Sequence, residues 1–428
     1  KDVTDKLLFD PAMDMNPVSM VELEDGELAF RVEYHKGQYD QRQHSTEAII
    51  RNYMGFDEIR VVTSRLVKAK GLDEEGIKKL KSYFINPIEA KEVPLDKFQW
   101  QEERENESSI PVVEGFIASD EEQLKKLKRE IGFAMDIDDL THCRDYFRSK
   151  DRNPTIAELK MLDTYWSDHC RHTTFMTELT DVKVDTGKYQ ELFQSALDSY
   201  MESRQFAHGN SKVISLMDLA TINMREITKK GLLDDKEVSD EINAASIEID
   251  VDVDGKTERW LLMFKNETHN HPTEIEPFGG ASTCLGGGIR DPLSGRSYVY
   301  QAMRITGAAD PRRALEETRK GKLSQRKITR TAMDGYSSYG YQIGGTSGYI
   351  HEVYDDGFMA KRMELGALVS AAPKDWVQRG KPEPTDLVLL IGGETGRDGL
   401  GAAVGSSVEQ KSDALVTAGA EVQKGNPP

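Results

Sequence analysis

The chain has 428 residues, 38% of them hydrophobic, and a formal net charge of −18. That length allows roughly two to four domains with proper cores, and acidity without any long basic block argues against nucleic acid as the main partner. No apolar run approaches the roughly 18 residues of a membrane helix and no signal-peptide pattern opens the chain, while Cys143, Cys170 and Cys284 are odd in number and widely spaced; these features fit a soluble protein of the reducing cytoplasm, with no membrane partner and no disulfide framework.

Taken in order, GELAFRVEYHKGQYDQR (26–42) predicts a strand-rich opening and FDEIRVVTSRLVKA (56–69) another strand. LDEEGIKKLKSYF (72–84) predicts a helix with Leu80 and Phe84 on one face. The first region is therefore expected to be α+β. It starts at Lys1 without an initiator methionine, so a longer natural N-terminus is expected. FQWQEERENESSI (98–110) is charged and aperiodic and predicts a linker. Ser119 and Glu122 predict a capping box ahead of Leu124, Leu127 and Ile131, and Thr155 and Glu158 a second one after Pro154. Ile156, Leu159, Leu162 and Trp166 recur at helical spacing, so 111–175 is expected to be a small helical region whose last helix delivers His169 and His172.

YQELFQSALDSYM (189–201) predicts an amphipathic helix with Leu192 and Leu197 apolar, and VISLMDLATINMREI (213–227) a second. Ile247, Ile249, Val251 and Val253 then alternate, Asp254-Gly255 supplies a turn, and RWLLMF (259–264) follows. This is a hairpin pattern. Its second strand is expected to end where a dense polar stretch begins. The run 336–358 is glycine-rich and aromatic and predicts strand and turn. The residues from Leu387 to Ile391 predict a buried strand, followed by a loop at 392–399. Only 37 residues follow Ile391, so the C-terminal part is expected to be a truncated domain.

The polar stretch, KNETHNHPTEIEPFGGASTCLGGGIRD (265–291), organises the chain. It holds Lys265, Glu267, His269, His271, Glu274, Glu276, Arg290 and Asp291 around Gly279-Gly280 and Gly286-Gly287-Gly288. Glycines let amides approach a ligand closely, and successive amides make anion sites, so a phosphate-handling loop is expected. Glu267 and Asp291 are candidate Mg²⁺ ligands, because Mg²⁺ takes one or two protein carboxylates plus water and phosphate oxygens; a solvated pair of acids is the bland alternative. Around Cys170, His169 and His172 fit proton transfer, nucleotide contact or a helix terminus; with His269 and His271 they leave a zinc site as a further option, although the usual zinc spacings are absent. Walker A and Rossmann motifs are absent too.

Three blocks together, YWSDHCRHTTF (165–175), the stretch 265–291 and GGETGRDGLGAA (392–403), resemble phosphoribosylformylglycinamidine synthase, also called formylglycinamide ribonucleotide amidotransferase. FRVEYHKGQYDQR and YFINPIEA resemble the N-terminal region of its large single-chain form, and IGFAMDIDDLTHCRDYF (131–147) its helical linker. The resemblance implies an α+β and α/β multidomain chain. Its parts would be an N-terminal α+β domain (1–98), a linker and helical region (99–175), an aminoimidazole-ribonucleotide-synthetase-like nucleotide and substrate domain (176–384), and the truncated start of the partner domain (385–428). It implies a cytoplasmic, ATP- and Mg²⁺-dependent glutamine amidotransferase ligase of purine biosynthesis, acting on formylglycinamide ribonucleotide with ammonia from a glutaminase domain that is not visible in this sequence.

By residue, the resemblance makes His169 an active-site histidine and His269 a proton acceptor. His172 falls where related short enzymes carry an ATP-contacting tyrosine. Lys265 becomes an ATP contact, and Glu267 and Asp291 the Mg²⁺ ligands. Thr268, His269, Asn270, His271, Arg290 and Gln423 become substrate contacts. Gly280, Ala281, Ser282, Thr283, Cys284, Leu285, Gly286, Gly287, Gly288, Ile289, Arg290 and Asp291 become the nucleotide loop. Two other readings stay open: a non-catalytic nucleotide-binding or scaffold segment of such an enzyme, and a zinc-dependent hydrolase.

Overall fold

The computed structural model describes residues 22–35, 38, 40–55, 59–96, 110–167, 172–209, 211–239, 244–345, 347–389 and 391. The charged run at 98–109, the residues from 168 to 171 with His169 and Cys170, the loop at 392–399 and Gln423 lie outside them.

The first unit is a three-stranded antiparallel sheet in the order β2-β1-β3, formed by β1 (Glu27–Tyr34), β2 (Arg65–Lys70) and β3 (Ala90–Val93). Helices α1 (Gln41–Met54) and α2 (Glu74–Phe84) accompany it. Asp40 and Asp73 cap their N-termini through side-chain oxygens, and Gly55 closes α1 in the left-handed region at φ 68°. The expected α+β opening is present, with the second strand shorter than its apolar run.

Next come α3 (Glu121–Ile131), α4 (Ile137–Ser149) and α5 (Ile156–Trp166). Each starts with a capping box. Thr155 and Glu158 form one as expected. The box expected at Ser119 and Glu122 is displaced by one residue: Asp120 accepts from the Gln123 amide, and Gln123 accepts from the Asp120 amide. A carboxylate is the stronger acceptor, and the Ser119 hydroxyl instead donates to Gly115 O. Phe116, Leu124, Leu140, Phe147 and Leu159 make the core of this helical region. After α6 (His172–Met176), α7 (Gln190–Ala207) and α8 (Leu216–Lys229) pair. Buried Asp218 receives the Tyr200 hydroxyl at 2.8 Å, His208 Nε2 at 2.9 Å and the Arg204 guanidinium. Leu192, expected on an apolar helix face, is 66% exposed.

The largest unit is a five-stranded sheet in the order β4-β5-β8-β6-β7. Its strands are β4 (Ala245–Val253), β5 (Lys256–Thr268), β6 (Tyr298–Ala308), β7 (Ser347–Tyr354) and β8 (Met363–Pro373). All neighbours are antiparallel except β6 and β7. The β4–β5 hairpin closes on Asp254 at φ 53° and Gly255 at φ 79°, with Val253 opposite Lys256. Two left-handed residues match the twist of the flanking strands, so Asp-Gly is the chemistry this turn needs.

Three helices lie along this sheet: α9 (Asn270–Ile275), α10 (Pro277–Ser294) and α11 (Gln325–Gln342). Ala281, Leu285, Ile289, Tyr336, Tyr339 and Leu368 form the core between sheet and helices. Alternation along β5 buries Leu261 and Met263 and leaves Phe264 45% exposed on the opposite face. Two expectations fail here. The aromatic run at 336–358 is helical in its first part, because Tyr336 and Tyr339 sit three apart on the buried side of α11. Leu387, Val388, Leu389 and Ile391 form no strand and are 75–96% exposed; among the described residues nothing pairs with them, and an apolar run without a partner cannot bury itself.

The first unit grips the third. The amide of Asn86, itself 0% exposed, donates to Ile275 O at 2.9 Å. The Lys327 ammonium on α11 donates to Tyr83 O at 2.7 Å and Phe84 O at 3.1 Å, the last carbonyls of α2. A cation there satisfies acceptors that the helix itself leaves open. Ile88, Ile275, Leu323 and Ile328 bury the contact. A cavity of about 390 Å³ lies beside it, with Tyr34, Arg65, Glu276 and Lys327 in its wall.

Candidate functional site

β5 runs through Lys265 and Glu267 to Thr268, so these residues stand on the strand and not after it. Lys265 and Glu267 are two apart and face the helices, like Leu261 and Met263. Asp291 comes up from the far end of α10. The Lys265 ammonium lies 2.6 Å from Asp291 Oδ2 and 3.4 Å from Glu267 Oε2. Burial works against the charge on Lys265, but the hydrogen bond it donates to Asp291 and both carboxylate charges outweigh it and hold its pKa above the usual lysine value. Two carboxylates thus converge on one cation, all three side chains about a quarter to a third exposed.

Arg290 joins them from the same turn of α10. An added Cβ on Gly287 would stand 3.9 Å from both Arg290 Nη2 and Glu267 Cγ, so the guanidinium folds back along the helix toward the edge at Gly287 that Glu267 also faces.

The glycine-rich run is not a loop. Residues 277–294 are one helix, and none of the glycines from 279 to 288 has a positive φ. Their role is close packing. A Cβ on Gly280 would lie 2.5 Å from Thr273 N, and on Gly286 it would lie 2.8 Å from the Tyr339 ring. On Gly288 it would strike Leu368. Gly335 completes the pattern from α11, where a Cβ would sit 2.1 Å from Phe278 O. The sheet, α9 and α11 approach so closely that only hydrogen fits. Ala281, Ser282, Cys284, Leu285 and Ile289 are buried in the same helix, and Thr283 spends its hydroxyl on Gly279 O. Of the twelve residues from 280 to 291, Arg290, Asp291 and the open edge at Gly287 reach the polar centre. Cys284 points inward: its thiol donates toward Glu267 O at 3.5 Å and Glu364 O at 3.7 Å, and burial pushes its pKa far up.

His269 opens α9. Its amide donates to Glu364 O at 2.9 Å, and its carbonyl accepts from the Thr273 hydroxyl at 2.5 Å. Asn270 Oδ1 accepts from the Glu364 amide at 2.9 Å. This exchange pins the start of α9 to β8. Thr268 is an exposed residue at the strand end, and His172 is exposed at the start of α6.

Three further sets of charged residues were not legible as a unit. Arg304 on β6 holds Glu364 on β8 through two bonds of 2.6 and 3.0 Å, and Arg362 Nε adds a third at 3.0 Å. All three side chains are at most 5% exposed. Glu352 on β7 approaches Arg362 at 2.7 Å and accepts from Thr306 at 2.7 Å. Behind α9, buried Glu274 meets Lys322 at 3.1 Å, Lys361 at 3.2 Å and His271 at 3.6 Å. Sequence spacing shows only the His271–Glu274 pair, three apart on one helix.

Burial alone would raise the pKa of Glu274, but His271, Lys322 and Lys361 outweigh it and hold it below its ordinary 4.5. Its stabilising contribution is therefore complete above pH 4.5 and is lost as pH falls through the folded value. Glu274→Gln should lower stability by about 1–3 kcal/mol at pH 7, and urea unfolding of both proteins at pH 7 and pH 3 should show that gap closing in acid. An equal gap at both pH values would remove the ion cluster as its cause.

Residues 124–172 match the family model of the formylglycinamide ribonucleotide amidotransferase linker domain. Over 264 residues the chain is 33% identical to phosphoribosylformylglycinamidine synthase subunit PurL of Ignicoccus hospitalis, covering 61% of this chain and 27% of that protein. Over 285 residues it is 26% identical to the PurL subunit of Thermoplasma acidophilum, covering 66% of this chain and 30% of that one. Among solved structures, PurL of T. maritima complexed with FGAR aligns over 60% of this chain and 30% of that chain, at 20% identity and a TM-score of 0.33. The chain spans less than a third of the length of these relatives. The fold is of the expected mixed α/β kind, with an amidotransferase linker region ahead of its main sheet. No helix among the described residues is long and apolar enough to cross a membrane.

Proposed function

We propose that this homologue of the PurL subunits supplies the ATP- and ribonucleotide-binding unit of a phosphoribosylformylglycinamidine synthase. In this reading the γ-phosphoryl group of ATP passes to the carboxamide oxygen of formylglycinamide ribonucleotide. Ammonia released from glutamine by a glutaminase partner attacks the activated carbon, and phosphate leaves to give the amidine.

The observation that supports this most directly is the meeting of Lys265, Glu267 and Asp291 from two different elements. The pair of carboxylates fits Mg²⁺, which is commonly held by one or two acids plus substrate oxygens. When bound, Mg²⁺ neutralises charge on the phosphates. Lys265 supplies a second fixed positive charge for the transferring group, which phosphoryl transfer needs more than it needs covalent chemistry. Arg290, folded back toward the edge of α10 at Gly287, offers a planar fork to a phosphate or amide oxygen. His269 stands at the start of a helix pinned to β8 and is assigned the proton taken from the amide or the ammonia. Thr268, Asn270 and His271 line the same chain segment and are assigned to the ribonucleotide.

Glu267→Gln tests the reading. It keeps the size of the side chain and removes the anion. Calorimetric titration of a non-hydrolysable ATP analogue, with and without Mg²⁺, should show the Mg²⁺-dependent gain in affinity falling by at least about tenfold, the lower end of what even outer-shell metal partners cost. An undiminished Mg²⁺ effect would take Glu267 out of the metal site and leave the reading without its main support.

A further inference from the structure

The cluster behind α9 carries more positive charge than its carboxylate can balance. Glu274 is 2% exposed and carries one negative charge. Lys322 and Lys361, from two separate loops, bring two ammonium groups to its Oε1. His271 faces the same oxygen at 3.6 Å, and its Nδ1 is buried without a hydrogen bond. A buried acid needs one good cation; this one has two, with an imidazole beside them.

The geometry also leaves donors open. An ammonium has three N–H groups. Among the described residues, each lysine directs a single side-chain hydrogen bond, the one to Glu274. Lys322 is 12% exposed and Lys361 46%, so the surplus charge opens to solvent on the Lys361 side. Two ammonium groups brought together would repel each other, and Glu274 holds them side by side. An oxyanion arriving there would meet two point charges and up to four free N–H donors. Among the described residues no second carboxylate contacts either lysine in the cluster, so a dianion needs no metal to enter. That separates this place from the Lys265 centre, where two carboxylates call for a cation.

We propose that Lys322, Lys361 and His271, positioned by Glu274, form a seat for a phosphate monoester: the 5′-phosphate of the ribonucleotide substrate. The identity of that substrate rests on the function proposed above, while the anion seat rests on the cluster alone. α9 carries His271 and follows directly on His269, so the seat would anchor one end of a ligand whose other end reaches the start of the same helix.

Lys361 is the residue to change, because its exposure makes it safe for folding; thermal unfolding followed by circular dichroism confirms that. Ribose 5-phosphate, formylglycinamide ribonucleotide and a non-hydrolysable ATP analogue are titrated separately into the wild-type chain, Lys361→Gln and Lys361→Arg. Ribose 5-phosphate and the ribonucleotide should both weaken by about tenfold or more with Lys361→Gln, since a bond to a charged group is lost. Lys361→Arg should keep most of the affinity, and the ATP analogue should bind all three proteins alike. Unchanged binding of the two ribose phosphates by Lys361→Gln, or no binding of ribose 5-phosphate by the wild type, overturns the seat and leaves the proposed function standing. A loss confined to the ATP analogue also overturns it, by assigning the lysines to the nucleotide. Ribose 5-phosphate binding that depends on Lys361, in a chain that ignores formylglycinamide ribonucleotide, keeps the seat and defeats the proposed function.

Discussion

Replacing Glu364 with alanine should destabilise the protein by about 3–5 kcal/mol, the cost of stripping one partner from a buried ion pair. The carboxylate holds Arg304 through two bonds and Arg362 through a third, in a place where all three side chains are at most 5% exposed. Without it, Arg304 is a guanidinium under the ring of Tyr336 at 5.1 Å with its anion gone. Arg362 retains Glu352. The same change at the exposed Lys126–Glu130 pair, where the glutamate is 60% exposed, should cost about 1 kcal/mol or less. Denaturant unfolding of the two alanine variants checks this. Equal losses would mean that burial does not set the worth of the inner pair. The backbone of Glu364 also bonds His269 and Asn270, so the inner loss should disturb α9 as well.

Gly335→Ala should be nearly as damaging, at about 3 kcal/mol or more, the upper end of overpacking costs. The new methyl would lie 2.1 Å from Phe278 O and 2.7 Å from its carbon, and backbone cannot rotate aside as a side chain can. Gly280→Ala meets the backbone of Thr273 at 2.5 Å and should behave alike. Gly287→Ala supplies the contrast within one helix. Its nearest neighbours stand 3.9 Å away, so alanine should fit and gain up to about 1 kcal/mol from helix propensity. Melting curves for the three variants should therefore split two against one. If all three melt together, the glycines are not there for packing.

Those glycines also mark where the sequence misled. A cluster of glycines has two physical meanings, a backbone free to curl round a ligand or a surface where two elements nearly touch. Nothing local distinguishes them. The atoms that decide are Phe278 O for Gly335 and Leu368 for Gly288, more than fifty residues away in the chain. Arg304 and Glu364 were invisible for the same reason, being sixty residues apart. The exposed run from Leu387 to Ile391 shows that apolar composition does not supply a neighbouring strand. What was legible was local. Asp254-Gly255 fixed its hairpin, and Thr155 and Glu158 their cap. Lys265 and Glu267 were expected just past the strand, because charged residues look like its end; the strand carries them, and their meeting with Asp291 needed the fold.

The salt bridge between Lys265 and its two acids also bears on how this centre is assembled. An ammonium between two carboxylates keeps them from repelling each other, so β5 and the end of α10 are joined by charge as well as by packing. In the reading proposed above, a divalent cation arriving there would displace an ammonium rather than a proton, because Lys265 holds its charge firmly. Loading would then exchange one positive charge for another within a centre already assembled.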